Sequence, residues 1–332
     1  MRSLCDRGNT VIAVDHNLEL IQSTDFVAEF GPGAGVYGGT VTYSGDVNGL
    51  RTTSSSITGD YLEKRETFNS GQSKRTPEGN RIKLINASGN NLDHLTVEFP
   101  LNRLCVVTGV SGSGKSSLVV DTLYPLLAQR IKQSPLAALP VEDVQGSDYL
   151  DDVLLVDQSP IGQTSRSNPA TFSKAFDAIR AVFAETLDAR TRNLTAGRFS
   201  FNTDGGRCDA CKGEGTKQLD LQFLANRHVR CKFCKGTRYK QEVLSCRYRG
   251  RNISEVLNLT AREAFSFFRG QKKVQSKLKP MMDVGLDYLR LGQPASTLSS
   301  GESQRLRLAG FLSSGRKART LFILDEPTIG LH

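Results

Sequence analysis

Leu104-Cys105-Val106-Val107-Thr108-Gly109-Val110-Ser111-Gly112-Ser113-Gly114-Lys115-Ser116-Ser117 is the stretch whose reading decides the fold. An apolar run of strand character enters a glycine-rich loop, and the loop opens into Ser116 to Tyr124, a predicted helix closed by Pro125. Gly109 to Ser116 fits the full phosphate-loop pattern in the context that pattern requires. Gly109, Gly112 and Gly114 let successive backbone N–H groups turn toward phosphate oxygens, and the helix start adds partial positive charge. Ser111, Ser113 and Ser117 fall in the same cradle, Lys115 reaches the terminal phosphates, and Ser116 ligates Mg2+. The expected ligand is ATP with Mg2+. Leu104 to Thr108 is expected as a central buried strand, with Cys105 a small core residue.

Working outward, Leu321 to Leu324 is an apolar strand that delivers Asp325 and Glu326 to its end. Asp325 then holds the magnesium, and Glu326 is the base that orients the attacking water. Val153 to Val156 is a second such strand, ending at Asp157-Gln158. Arg81 to Ile85 and Leu95 to Phe99 also read as strands. Asn168-Pro169 starts a helix whose Phe172, Phe176, Ile179 and Phe183 share one face, which is core packing. Ala261 to Phe268, Lys277 to Val284 and the residues after Gly301 read as helices. Strands alternating with helices imply an α/β fold with an open, mostly parallel sheet. Near the N-terminus, Asn9 to His16 reads as a short buried strand ending at polar residues, and Thr40 to Tyr43 as another. Arg51 to Asn80, rich in Ser, Thr, Lys, Arg, Glu and Gly, reads as a linker.

Cys208-Asp209-Ala210-Cys211 and Cys231-Lys232-Phe233-Cys234 are two C-x2-C pairs at the spacing of a four-cysteine structural Zn2+ site. Each continues as Lys-Gly, so two similar knuckles are expected, with Gly213 and Gly236 in the tight turns. Four thiolates leave no open coordination position, which points to structure rather than metal catalysis. Disulfides or idle thiols are the alternative. His228 offers a substitute ligand, although a solvated histidine is the plainer reading. Seven cysteines, an odd number, in a chain whose N-terminus lacks a secretion-type apolar run argue for reduced thiols and a cytoplasmic location.

The 332 residues are 38% hydrophobic and 23% charged, an ordinary globular composition with no run apolar enough for a membrane span. The formal charge of +9 favours an anionic partner without identifying it.

Leu298-Ser299-Ser300-Gly301-Glu302-Ser303-Gln304-Arg305-Leu306 resembles the signature of ABC-type ATPases, which clamps the nucleotide of an opposite module. The resemblance implies that Ser299, Gly301 and Glu302 serve that nucleotide and that Gln158 is the glutamine of the loop that senses magnesium. Ser300 stands where that family usually has glycine. Together with Asp157 to Gly162, Arg166 to Thr171, the cysteine knuckles, Gly292 to Ala295, Leu324 to Thr328 and Gly330 to His332, the chain resembles the UvrA family from about Ala87 onward. In that comparison residues 1–50 are similar to the tail of a first ATPase module, with His16 as its switch histidine, and 51–80 is the linker. Residues 81–192 and 252–332 are the two parts of a second module, divided by a zinc-binding insertion at 193–251.

The resemblance implies an ATP-driven sensor of damaged double-stranded DNA in excision repair that loads UvrB. It acts as a homodimer or with a complementing UvrA half, without a membrane. Arg207, Lys212, Arg230, Lys232, Lys235, Arg238 and Lys240 suit phosphate contacts. A sister protein protecting against a DNA-binding drug and a catalytically weak DNA-binding module are the rival readings; a transporter ATPase fits the cysteines poorly. The chain lacks the first module's phosphate loop and signature, so weak nucleotide binding and slow hydrolysis are expected of it alone. One expected rescue is a permuted arrangement, with Val11 to Val14 beside Leu321 to Leu324 and His16 completing the Lys115 site.

Overall fold

The computed structural model describes the chain apart from residues 1–4, 8–9, 15–16, 34–38, 64–78, 158, 160, 162–165, 222–223, 314–318 and 328–332, and gives 218–221 and 224–228 as backbone alone. Its contacts divide the chain into two units, with the boundary between Lys74 and Arg75.

In the first unit, α1 (Leu18–Gln22) is capped by the Asn17 side chain, which accepts from the backbone N–H groups of Glu19 and Leu20. Strands β1 (Val27–Gly31) and β2 (Thr40–Gly45) pair antiparallel. Helices α2 (Val47–Thr52) and α3 (Ile57–Leu62) follow, capped by Asp46 and Ser56. The segment read as a linker is therefore structured as far as Glu63. Few apolar residues are needed there, because Leu50 and Ser56 are wholly buried and Glu29 accepts from the Thr58 backbone N–H at 2.9 Å. Val11 to Val14 form no strand and stand in solvent, with Val14 101% exposed. An apolar run signals a wish for burial, but a strand forms only where a neighbour supplies ladder bonds.

The second unit holds a three-stranded antiparallel sheet in the order β4 (Leu92–Pro100), β3 (Arg81–Gly89), β5 (Asp143–Gln145). Beside it runs the parallel pair β6 (Asp152–Val156) and β9 (Thr320–Leu324), in register from Asp152 opposite Thr320 to Val156 opposite Leu324. The α/β class is as expected. The described sheets are mixed, with one parallel pair and the rest antiparallel, and β9 pairs with β6.

Leu104 to Thr108 also departs from expectation: no strand forms, Leu104 is 91% and Val106 77% exposed, and Cys105 is exposed too. Among the described residues neither β6 nor β9 pairs with it.

The helix after the phosphate loop outruns its predicted end. It passes from α4 (Lys115–Leu118) through a π turn (Val119–Leu123) into α5 (Tyr124–Lys132), with Pro125 near the start of α5. A π turn is the widening that absorbs a proline's missing N–H and ring bulk without ending the helix. The Thr122 hydroxyl donates to the Ser117 carbonyl at 2.7 Å within it. Leu118, Leu123 and Leu127 on this helix share one core with Ile82 and Leu84 of β3, Val153 of β6 and Ile323 of β9.

The helix predicted from Asn168 is two, α6 (Pro169–Phe172) and α7 (Ala175–Ala184), broken where Lys174 takes φ 59°. Then come α8 (Leu187–Thr191), the hairpin β7 (Thr216–Leu221) and β8 (Leu224–Arg230), and α9 (Gln241–Leu244). Helices α10 (Ile253–Leu257), α11 (Ala261–Phe267), α12 (Lys272–Asp283) and α13 (Ser300–Ser313) complete the unit. Phe176, Ile179 and Phe183 bury against Phe199, Phe201, Tyr239 and Val243 of the cysteine-rich segment and against Leu278, Met281 and Leu306. That segment is woven into the main core rather than appended to it.

Candidate nucleotide site and four-cysteine metal centre

Gly109 to Ser116 leads from the exposed Leu104–Thr108 run into the first residues of α4. Lys115 curls back, its Nζ donating to the carbonyls of Gly109 at 2.9 Å and Val110 at 2.7 Å. A cation so placed stands beside the loop's own amides, where a phosphate would replace the two carbonyls as its partner. Gly114 takes φ 94°, and a Cβ there would lie 2.8 Å from Asn91 Oδ1. The β3–β4 turn braces the loop: Asn91 Nδ2 donates to the Gly112 carbonyl at 2.9 Å, and Asn90 Nδ2 to Ser117 Oγ at 3.1 Å. Neither asparagine was expected. Asn-Asn signals a hairpin turn, but nothing local tells that the turn lands on residues twenty and more positions away.

Asp325 and Glu326 follow β9 directly, Asp325 half-buried and Glu326 exposed with φ 46°. The Asp325 backbone N–H donates to the Val156 carbonyl at 3.2 Å, extending the β6–β9 ladder. Gln304, from α13, clasps both strand ends: its Nε2 donates to the carbonyls of Val156 at 3.1 Å and Asp325 at 2.7 Å. Arg307, one turn on, donates to the Asp157 carboxylate and, at 2.6 Å, to the Ser159 carbonyl. The signature helix is thus tied to the two strand ends at which Asp157 and Asp325 stand, through Gln304, which the signature pattern includes without a role of its own, and Arg307, which lies just beyond it. Gln158 and His16 lie outside the described residues.

Ser299 caps α13 in a reciprocal box: its Oγ accepts from the Glu302 N–H at 3.2 Å, and Glu302 Oε2 accepts from the Ser299 N–H at 2.8 Å. Tyr288 donates its hydroxyl to Glu302 Oε1 at 2.7 Å. Burial, then this contact, pushes the Tyr288 hydroxyl up to about 12. Both Glu302 oxygens are therefore engaged within the chain, and Gly301 is buried in the first turn.

Cys208, Cys211, Cys231 and Cys234 are all buried, and their sulfurs lie within 4.8 Å of one another. A tetrahedral Zn2+ with bonds of about 2.3 Å sets sulfurs about 3.8 Å apart, so the cluster fits one zinc ion. Cys211 Sγ and Cys234 Sγ are 3.6 Å apart. Gly215 donates its N–H to Cys211 Sγ at 3.3 Å. Burial pushes the Cys211 and Cys234 thiols up, whereas the backbone N–H groups of Cys234 and Phe233 draw Cys231 down to about 7. The four cysteines are free of disulfides. Among the basic residues expected to meet phosphate, Lys212, Arg230, Lys232 and Lys235 are exposed. Arg207 pairs with Asp204 at 2.6 Å and Lys240 with Asp209 at 2.8 Å. Arg238 turns inward and donates to the Gly292 carbonyl at 3.0 Å.

A phosphate loop feeding a helix, a carboxylate pair at the end of a parallel strand, a capped signature helix tied to that strand and a four-thiol cluster together define the class: an ABC-type phosphate-loop module with a cysteine-knuckle insertion. Over its whole length the chain is homologous to the UvrA family. It is 46% identical over 332 residues to UvrABC system protein A of Aquifex aeolicus, covering 100% of the chain and 36% of that protein. It is 47% identical over 330 residues to the Micrococcus luteus protein of that name, covering 99% and 33%. The crystal structure of UvrA2 from Deinococcus radiodurans superposes with a TM-score of 0.85 at 44% identity, over 96% of this chain and 38% of that one. The chain thus spans about a third of the length of these relatives. No protein-family model matches it. Among the described residues no helix is long and apolar enough to cross a membrane.

Proposed function

We propose that the chain supplies ATP-binding and zinc-bearing parts of a UvrA-type sensor of DNA damage, acting in the cytoplasm in nucleotide excision repair. The observation that carries this is the whole-length similarity to UvrABC system protein A, joined to a phosphate loop and a carboxylate pair that flank one hydrophobic core. In this reading the amides of Gly109 to Ser117 hold the ATP phosphates, Lys115 exchanges its two carbonyl partners for phosphate oxygens, and Ser116 and Asp325 hold Mg2+. ATP supplies a transferable phosphoryl group; Glu326 accepts the proton of the attacking water, and Gln158 orients that water. Ser299 and Gly301 present the start of α13 to a nucleotide on an opposite module, and Glu302 acts by keeping that start formed. His16 serves a terminal phosphate.

Zinc closes the Cys208, Cys211, Cys231 and Cys234 cluster as structure. Lys212, Arg230, Lys232 and Lys235 meet the phosphates of double-stranded DNA without reading sequence. UvrB and a second UvrA copy are the protein partners.

The test is titration of the chain with Mg-ATP, alone and with intact or damaged duplex, with metal measured on the same sample. Lys115→Ala is expected to weaken ATP binding roughly ten- to a hundredfold, the worth of a charge-assisted contact. Folded chain with no affinity for Mg-ATP, or Lys115→Ala binding as well as the parent, would sink the reading.

A further inference from the structure

The second knuckle ends in a residue that the zinc chemistry leaves unused. Arg238 follows Cys234-Lys235-Gly236-Thr237, takes φ 75°, and sends its side chain inward. Its carbonyl accepts from the Cys208 N–H at 2.8 Å, so its backbone closes the cluster from the first knuckle's side. Its guanidinium lies over the Phe201 ring at 5.2 Å and donates through Nη2 to the Gly292 carbonyl at 3.0 Å, while Nη1 is buried without a partner. Room for the stem comes from the other knuckle. Gly215, which donates to Cys211 Sγ, takes φ 77°, and a Cβ there would fall 3.1 Å from Arg238 Cγ.

The far end of this contact is the segment that delivers the signature helix. Gly292 donates its N–H to the Leu257 carbonyl at 2.7 Å, Ala295 to the Ser167 carbonyl at 2.8 Å, and Leu298 to the Ala295 carbonyl at 3.2 Å; Ser299, the cap of α13, is next. A second, looser path leads from the first knuckle to the same place: Glu214 faces Arg166 at 3.8 Å, and Arg166 precedes the Ser167 that receives Ala295.

We propose that Arg238 is a positioning residue that transmits the filling of the four-cysteine cluster to residues 292–298, and so to the start of the signature helix. Four thiolates on one Zn2+ lock the two knuckles together, and Arg238 is locked with them, its carbonyl accepting from the Cys208 N–H of one knuckle and its stem packed against Gly215 beside Cys211. With its fork fixed, its other end fixes Gly292. Emptying the cluster uncouples the two knuckles, loosens the Cys208–Arg238 backbone bond that aims the side chain, and frees Gly292 to Leu298. The signature then senses the metal centre without touching it. The inference rests on the zinc reading of the cluster, not on ATP hydrolysis.

Hydrogen exchange on the 332-residue chain, with zinc content measured in parallel, separates the two. In zinc-loaded Arg238→Gln the amides of Gly292, Ala295 and Leu298 are expected to exchange about tenfold faster than in the parent, with the β3–β4 ladder unchanged. Chelating zinc from the parent is expected to speed the same amides, and chelating it from Arg238→Gln to add little, the non-additivity of two changes on one path. Wild-type exchange in zinc-loaded Arg238→Gln overturns the proposal, and so does an equal response to chelation in both proteins. If Arg238→Gln fails to retain zinc, Arg238→Lys decides. It keeps the stem and the charge but not the fork, so zinc bound with fast Gly292 exchange supports the path, and zinc bound with parental exchange refutes it. A parent that holds no zinc would instead sink the metal reading itself.

Discussion

Around Lys115 the functional groups stand on exposed loops and answer mostly to backbone carbonyls, whereas around Cys208, Cys211, Cys231 and Cys234 every ligand atom is buried and lies within 4.8 Å of the others. The apolar run leading into the phosphate loop is in solvent; the cysteine segment shares Phe199, Phe201 and Tyr239 with the largest core of the molecule. One centre is assembled by the chain's own local turns. The other collects contributions from far apart in sequence, the β3–β4 turn, β6, β9 and α13, and is held by single side chains. A local, buried centre spreads its loss through the core, whereas a composite, exposed one loses function before stability.

The largest effect should therefore come from the metal centre. Cys231→Ser removes one of four buried ligands and is expected to cost at least about 4 kcal/mol, the range that loss of a structural metal reaches. Because the segment is part of the main core, the thermal transition of the whole second unit should move down with it. A chelated chain that melts as the zinc-loaded one does would break the comparison.

Those differences also decide what was readable beforehand. The cysteine pairs and the phosphate loop are contiguous patterns in which spacing is set by one turn's geometry, so composition and spacing placed Cys208 to Cys234 and Gly109 to Ser116 without any tertiary knowledge. Leu324 to Glu326 was legible because an apolar strand must end somewhere polar. Asn90, Asn91, Gln304, Arg307 and Arg238 were not, since each acts through a contact to a distant segment and is, by local pattern, an ordinary polar residue. Leu104 to Thr108 and Val11 to Val14 misled for a related reason: hydrophobicity states a demand for burial, but the ladder partner that satisfies it is a property of the whole sheet. Pro125 misled because a π turn can absorb what would otherwise stop a helix.

Gln304 sharpens the comparison from the composite side. It is 5% exposed and gives its amide to the two carbonyls at the ends of β6 and β9. Gln304→Ala takes this donor from the Asp325 carbonyl and leaves the Val156 carbonyl only the Asp325 N–H, and is expected to cost about 2 kcal/mol, half or less of the cysteine effect. Zinc content should be unchanged, and exchange of the Asp325 amide, bonded to Val156 at 3.2 Å, should quicken. Loss of zinc with this variant would show that the two halves do not answer separately.

The smallest effect lies at the opposite end of the same strand pair. Arg319 donates to both Asp151 oxygens, at 2.9 and 3.1 Å, and adds its backbone N–H at 3.0 Å; the Asp151 N–H returns to the Arg319 carbonyl at 2.9 Å. The guanidinium contact, and then the N–H, hold the Asp151 carboxyl at about 2 against an ordinary 3.8. A carboxyl depressed in the folded chain contributes its stabilisation in full above its ordinary value and loses it as pH falls toward the folded value, between about 4 and 2. Asp151→Asn should accordingly lower the melting temperature at pH 7 by less than Gln304→Ala does, because the pair is open to water and salt. Parent and variant should converge as the pH falls toward 2, and added salt at pH 7 should narrow the gap. Melting curves that stay parallel from pH 7 to pH 2 would mean that the backbone bonds between Asp151 and Arg319, not the carboxylate, start the β6–β9 register.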